Sequence, residues 1–187
     1  MMLTTMFAFI LGLFTWTFME YVIHRWLGHH PRFRPNFFSK EHIQHHSKGH
    51  YFATAKKKIV IAGIAVKVMM PISWLVVGFQ LGTAWVLGVG LMYLGYEWLH
   101  WRLHAHQGIG AYGRYLRKHH FYHHFVEPRM NHGVTSPIWD MFFGTYRKPE
   151  VIPVPAKLAM PWLVDQTEGW LLPRFSHHYQ LIGQVRT

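Results

Sequence analysis

The 187-residue chain is half apolar, carries a formal charge of +11 and contains no cysteine. Disulfides, thiolate metal ligands and cysteine nucleophiles are therefore excluded, and the length suggests one domain. The charge alone would suit nucleic acid, but a soluble nucleic-acid binder has no need of the long apolar runs that organise this chain.

The first run, Met1 to Met19, is broken mainly by Thr4, Thr5, Thr15 and Thr17. Extended to Ile23, it is long enough to cross a hydrocarbon core of roughly 30 Å at about 1.5 Å per residue. It lacks the basic start and small-residue cleavage pattern of a signal peptide, so a retained span over residues 2–23 is expected. Glu20 lies four residues before His24, on the same helix face, where it can accept a ring proton or serve as an interfacial acid. His24 and His29 are five apart, about 140° around an ideal helix. They meet at one site only if the helix loosens between them, and Gly28 is placed for that. After Pro31 and Pro35, Ser39 begins a short expected helix with Glu41 in its first turn, and His42, His45 and His46 share a face. His30 and His50 fall outside this spacing.

Residues 25–58 hold eight Lys or Arg against the single Glu41, ending in Lys56, Lys57 and Lys58. The apolar turn near Gly78 to Gly82 carries no charge, a positive-inside asymmetry that puts the basic blocks in the cytoplasm. The second and third expected spans are 59–77, interrupted by Lys67 and Pro71, and 81–99, where Gly82, Gly88, Gly90 and Gly95 permit close helix approach. A hairpin between them returns the chain to the side it left.

At the end of the third span, Glu97 lies three residues before His100 and seven before His104, as a supporting acid or a direct ligand. Tyr93, Tyr96, Trp98 and Trp101 suit an interfacial belt. Gly108, Gly110 and Gly113 loosen the next connection, and Arg114, Arg117 and Lys118 read as a headgroup-facing or solvated cationic face. His120, His123 and His124 form another shared face. Asn131, Gly133 and Pro137 mark a turn-rich closure, with His132 as an extra imidazole better suited to a structural hydrogen bond. The remainder is broken by Pro149, Pro153, Pro155, Pro161 and Pro173. His177 and His178 look peripheral.

Ten of the seventeen histidines thus fall in two polar blocks. Imidazole suits transition metals, whereas magnesium and calcium ask for oxygen ligands. Ten candidate ligands are too many for one ion, so two adjacent metals are the economical reading. A loosely binding histidine-rich surface is the bland alternative, but such tracts need not repeat helix-face spacing in separate blocks.

The motifs His24-Arg-Trp-Leu-Gly-His29, His42-Ile-Gln-His45-His46, His100-Trp-Arg-Leu-His104 and His120-Phe-Tyr-His123-His124, with the stretch from Asn131 to Thr145, resemble the fatty acid hydroxylase and sterol desaturase superfamily. The likeness runs from about Phe18 to Tyr146. The Glu20-Tyr-x-x-His24-Arg25 start and the Lys118-His-His-x-x-His-His124 spacing resemble the fatty acid 2-hydroxylases most closely. The resemblance implies an oxygen-using membrane oxidoreductase acting on a lipid. Its two metals would be iron in the active state, with zinc possible after purification. It implies that the ten spaced histidines hold the metals, with Glu20, Glu97, His119 and His132 in support.

The expected protein is therefore an all-α integral membrane protein, a single domain over 1–187. It has about three transmembrane helices and a cytoplasmic, helical, histidine-rich dimetal region formed by blocks 24–58 and 100–187. No fused cytochrome b5-like domain is recognised, so the expected electron donor is separate: a cytochrome b5, a ferredoxin or a reductase. No nucleic-acid partner is expected. Carotenoid or sterol hydroxylation or desaturation, a zinc-dependent lipid hydrolase and a non-enzymatic metal-binding membrane protein stay open as alternatives.

Overall fold

The computed structural model describes residues 1–183; the last four residues of the expected 100–187 block lie outside them. The uninterrupted apolar run gives α1, Met2–Val22, and the helix then widens into a π turn over Ile23–His29. Asn36, not Ser39, caps α2, Phe37–Lys48. Its side chain accepts from the Ser39 amide at 2.8 Å, and the Ser39 hydroxyl accepts from the Asn36 amide at 2.9 Å. This reciprocal cap starts the helix two residues before Ser39 and leaves Glu41 beyond the first turn.

Thr54 caps α3, Ala55–Val77, which takes in the three lysines as well as the expected apolar run. Gly78, at φ +83°, ends it, and α4 runs Phe79–Ala105. Further on come α5, Gly110–Phe125, and the short α6, Ile138–Phe142. Two stretches, Met2–His29 and Ala55–Val77, are long and apolar enough to cross a membrane; the third expected span, 81–99, lies within α4.

The chain forms two compact units, Met1–Glu20 with Ala53–Glu97 and Tyr21–Phe52 with Trp98–Thr187. In the first unit, helices meet where side chains vanish. A Cβ on Gly12 would stand 2.1 Å from the Trp85 carbonyl oxygen, and one on Gly88 would stand 2.1 Å from that of Phe9. Gly82 is similarly pressed against Ser73, whereas Gly90 and Gly95 face open space. The Trp85 indole donates to Thr15 Oγ1 at 3.1 Å across the same contact.

The second unit corrects the all-α expectation. Strands β1, Ile152–Pro155, and β2, Tyr179–Ile182, pair in parallel with Ile152 opposite Tyr179 and Val154 opposite Leu181. Pro153 and Pro155 cannot continue a helix but are tolerated in a short two-stranded edge, where only alternate residues need to donate. Ile152, Val154, Met160, Leu163 and Tyr179 bury themselves with Phe121 of α5, so the proline-broken carboxy-terminal segment supplies the unit's core.

Arg117 is also a correction, since it is buried and faces neither headgroups nor solvent. Its guanidinium donates to the carbonyls of Leu103 at 2.8 Å, Gln107 at 3.1 Å and Arg102 at 3.2 Å, and also to His106. It thereby satisfies acceptors that the end of α4 leaves open, and it lies over the Trp162 ring at 4.2 Å.

Replacing Gly88 by Val should force α1 and α4 apart and lower stability by about 1–3 kcal/mol, the usual cost of overpacking. Gly95→Ala, with open space around it, should leave the thermal midpoint in detergent unchanged or slightly raised, and paired melts of the two variants check this.

Candidate metal centre

The second unit brings ten imidazoles together as two groups of five. His24, His29, His42, His46 and His123 form one, and His45, His100, His104, His120 and His124 form the other. Within each, one ring nitrogen per residue lies within 4.8 Å of all the rest. Helix geometry accounts for most of this: α2, α4 and α5 each present histidines three or four apart on one face. The π turn accounts for the remainder, because its i to i+5 repeat aligns His24 with His29 where an α-helix would splay them. Gly28 contributes by its smallness: a Cβ there would come within 3.1 Å of His42 Cδ2 and 3.3 Å of Phe38 Cε1.

The nitrogens point at one another. His42 Nε2 stands 3.0 Å from His24 Nε2, 2.7 Å from His29 Nε2 and 3.0 Å from His46 Nε2. In the second group His100 Nε2 is 3.0 Å from His45 Nε2 and 3.1 Å from His120 Nε2, which is 3.0 Å from His104 Nε2. The opposite ring nitrogen is often committed: His24 Nδ1 meets the His132 carbonyl at 2.5 Å, His45 Nδ1 that of Tyr51 at 2.7 Å and His123 Nδ1 that of Met130 at 2.8 Å. A neutral imidazole carries one N–H, so these three rings aim bare lone pairs inward. His123 Nε2 and both nitrogens of His124 are buried without a hydrogen-bond partner. Converging lone pairs repel unless a cation sits among them, and outward donation to a carbonyl is how metal-bound histidines are oriented. A 4.8 Å spread also matches nitrogens about 2.1 Å from a shared centre, whose largest separation is about 4.2 Å. The residues therefore fit two ions.

The groups are neighbours, since the rings of His46 and His124, one from each, stack at 4.0 Å. Phe52 packs on His45, His100 and His104, and Phe121 on His104. Burial first, and repulsion among the imidazoles second, hold His42, His46, His104, His120, His123 and His124 well below the ordinary 6.5. Neutral rings are the ligand form.

The supporting candidates separate. His119 and His132 are buried beside the groups, His119 Nε2 meeting Asp140 Oδ2 at 3.1 Å and the His132 ring lying edge-on to His24. Glu20 and Glu97 belong to the first unit, where Glu20 is buried and Glu97 is bonded to Lys58. Sequence reasoning passed over Asp140, which is fully buried and accepts from the amides of His132 at 2.8 Å and Gly133 at 2.7 Å and from Thr145 Oγ1 at 2.8 Å. Burial would raise its pKa, but its donors, His119 Nε2 and the His132 and Gly133 amides among them, outweigh that and hold it well below the usual range. The signal was present: an acid set among Ile138, Trp139, Met141 and Phe142 is either exposed or bonded to several donors.

Two imidazole clusters on helical supports, in a chain with membrane-length apolar helices, define a class: helical proteins with two histidine groups that could each hold a metal ion. The fatty acid hydroxylase family profile matches residues 9–145, and the chain belongs to that family. It is 33% identical over 144 residues to the ceramide very long chain fatty acid hydroxylase scs7 of Schizosaccharomyces pombe, covering 73% of this chain and 41% of that protein. It is 29% identical over 153 residues to the fatty acid 2-hydroxylase of Mus musculus, covering 78% and 41%. The solved structure of full-length scs7p, with only its hydroxylase domain visible, superposes with a TM-score of 0.63 at 30% identity over 78% of this chain and 57% of that one. The chain thus spans about two fifths of the yeast and mouse relatives.

Unfolded imidazoles take up protons below about pH 6.5 while the depressed folded ones do not, so stability falls as pH drops through that value toward the folded pKa. Metal-free protein should therefore melt progressively lower from pH 6.5 to pH 4, and loaded protein should release its ions over the same window, as titration with metal analysis would show. Gly28→Ala should displace His42 and raise ion loss to a chelator several-fold without changing helix content by circular dichroism.

Proposed function

We propose that this protein is an oxygen-dependent lipid hydroxylase that inserts an oxygen at the 2-position of a fatty acyl chain, free or within a sphingolipid. The observation that carries the reading is the pair of adjacent five-nitrogen groups, joined to the family membership and to relatives named as ceramide fatty acid and fatty acid 2-hydroxylases. A hydrolytic zinc site needs about three protein ligands and open positions for water and substrate. Five imidazoles in each group are more than a hydrolytic zinc site asks for, and that excess suits a redox metal better than a hydrolytic one.

The ten histidines would hold two ions, iron in the working enzyme. Bound there, iron would supply the electron transfer and dioxygen chemistry that no side chain of this chain can perform. The protein's own part is positional. Buried neutral rings present lone pairs, and the carbonyls of Met130, His132 and Tyr51 hold three of those rings in one tautomer and orientation. Phe52 and Phe121 exclude water beside the second group. Burial of the acyl chain would contribute about 0.8 kcal/mol per CH₂ and no choice of carbon; regioselectivity must come from where the polar head stops. On the outer face of α6, Ile138, Met141 and Phe142 are exposed while Asp140 points inward, an apolar surface suited to lipid. In this reading α4 supplies a third span through residues 81–99, the basic blocks place the centre on the cytoplasmic side, and a cytochrome b5, ferredoxin or reductase delivers electrons.

Whole-lipid mass spectrometry of cells with and without the protein should show acyl species heavier by one oxygen. That atom should derive from isotopically labelled dioxygen and not from labelled water, and the product should vanish in His45→Ala and His123→Ala. Label arriving from water, or a cleaved lipid, would overturn the proposal.

A further inference from the structure

Asp140 stands outside both groups of five, yet its bonds lead to one of them. Its two oxygens accept from four donors: Oδ1 from the His132 amide at 2.8 Å and Thr145 Oγ1 at 2.8 Å, Oδ2 from the Gly133 amide at 2.7 Å and His119 Nε2 at 3.1 Å. The segment it grips turns sharply. Asn131 is left-handed at φ +56° and bonds through its side chain to the Arg147 amide at 2.7 Å and the Arg147 carbonyl at 2.9 Å. A Cβ on Gly133 would fall 2.1 Å from the Ser136 carbonyl oxygen. Asp140 and Asn131 therefore hold the segment from both sides.

From it project the two carbonyls that orient ring nitrogens, Met130 to His123 and His132 to His24. Both histidines belong to the same group of five. In the other group the matching contact runs from His45 to the Tyr51 carbonyl, on a different part of the chain. The carbonyls that orient rings in the two groups thus come from different segments.

We propose that Asp140 is a positioning residue for one ion site only, acting through the Met130 and His132 carbonyls on His123 and His24. The inference rests on the two-ion reading above. Asn in place of Asp keeps the volume but exchanges one acceptor oxygen for an NH₂ that faces donors, so the segment loses half its anchorage. Loss of an outer partner of this kind typically lowers metal affinity about 10–100-fold.

The test is metal stoichiometry of the full chain in detergent, by mass spectrometric metal analysis after graded chelator, with thermal unfolding alongside. Wild type should hold two ions per chain. Asp140→Asn should hold one, with its melt still cooperative, and His100→Ala, which strikes the other group, should lose the ion that Asp140→Asn retains, so that the double variant holds none. Thr145→Val, which removes one of the four bonds and leaves the carboxylate, should lose the same ion at a higher chelator concentration. Two ions retained in Asp140→Asn at wild-type chelator resistance would overturn the inference while leaving the two-ion reading intact. Parallel loss of both ions in Asp140→Asn and Thr145→Val would reduce Asp140 to a structural role. Fewer than two ions in wild type would overturn both.

Discussion

The fold of the second unit depends on a repulsion. Imidazole lone pairs that converge at 2.7–3.1 Å cannot satisfy one another by hydrogen bonding, because each neutral ring has one proton and several have already spent it on a backbone carbonyl. A cation among the nitrogens would turn that repulsion into a strong set of contacts. The first group draws four rings from residues 24–46 and one from α5; the second draws one from α2 and four from α4 and α5. Each ion would therefore tie together segments remote in sequence, a cross-linking role that a chain without cysteine cannot give to disulfides.

Everything around the clusters serves to hold rings in place and keep water away. Arg117 closes the carbonyl end of α4 just after His104, and the Trp162 indole donates to the His104 carbonyl at 2.6 Å. The proline-broken carboxy-terminal segment, which by composition could have been a loose tail, packs Ile152, Val154, Met160 and Leu163 around Phe121, next to His120 in the chain. At the other side, the Tyr21 hydroxyl shares a 3.0 Å hydrogen bond with Thr145, itself a partner of Asp140. These are the conditions that depress the imidazole pKa values and so keep the donors neutral.

The sequence shows its helices and their shared faces plainly, because spacings of three and four have only one structural meaning. The pair at His24 and His29 was legible as a problem, and the solution was a π turn, with Gly28 valued for close packing against His42 more than for looseness. What escaped was non-local. Asp140 has donors from 5 to 21 residues away, and no periodicity announces them. Spacing set Glu97 one turn from His100, yet its carboxylate bonds Lys58, 39 residues earlier. The β1–β2 pair likewise joins segments that look merely irregular until the core between them is seen. Capping failed at finer grain: Ser39 has the right chemistry for an N-cap, but Asn36 reaches the amide first.

The division of ligands between early and late segments bears on how the protein is made. Four rings of the first group leave the ribosome well before α5 does, but the first group lacks its fifth nitrogen until His123 is made and the second until His124. Ligand binding of this kind contributes directly to folding free energy. The growing polypeptide would thus offer no complete cage until α5 is made, and ion uptake would wait for the joining of early and late segments.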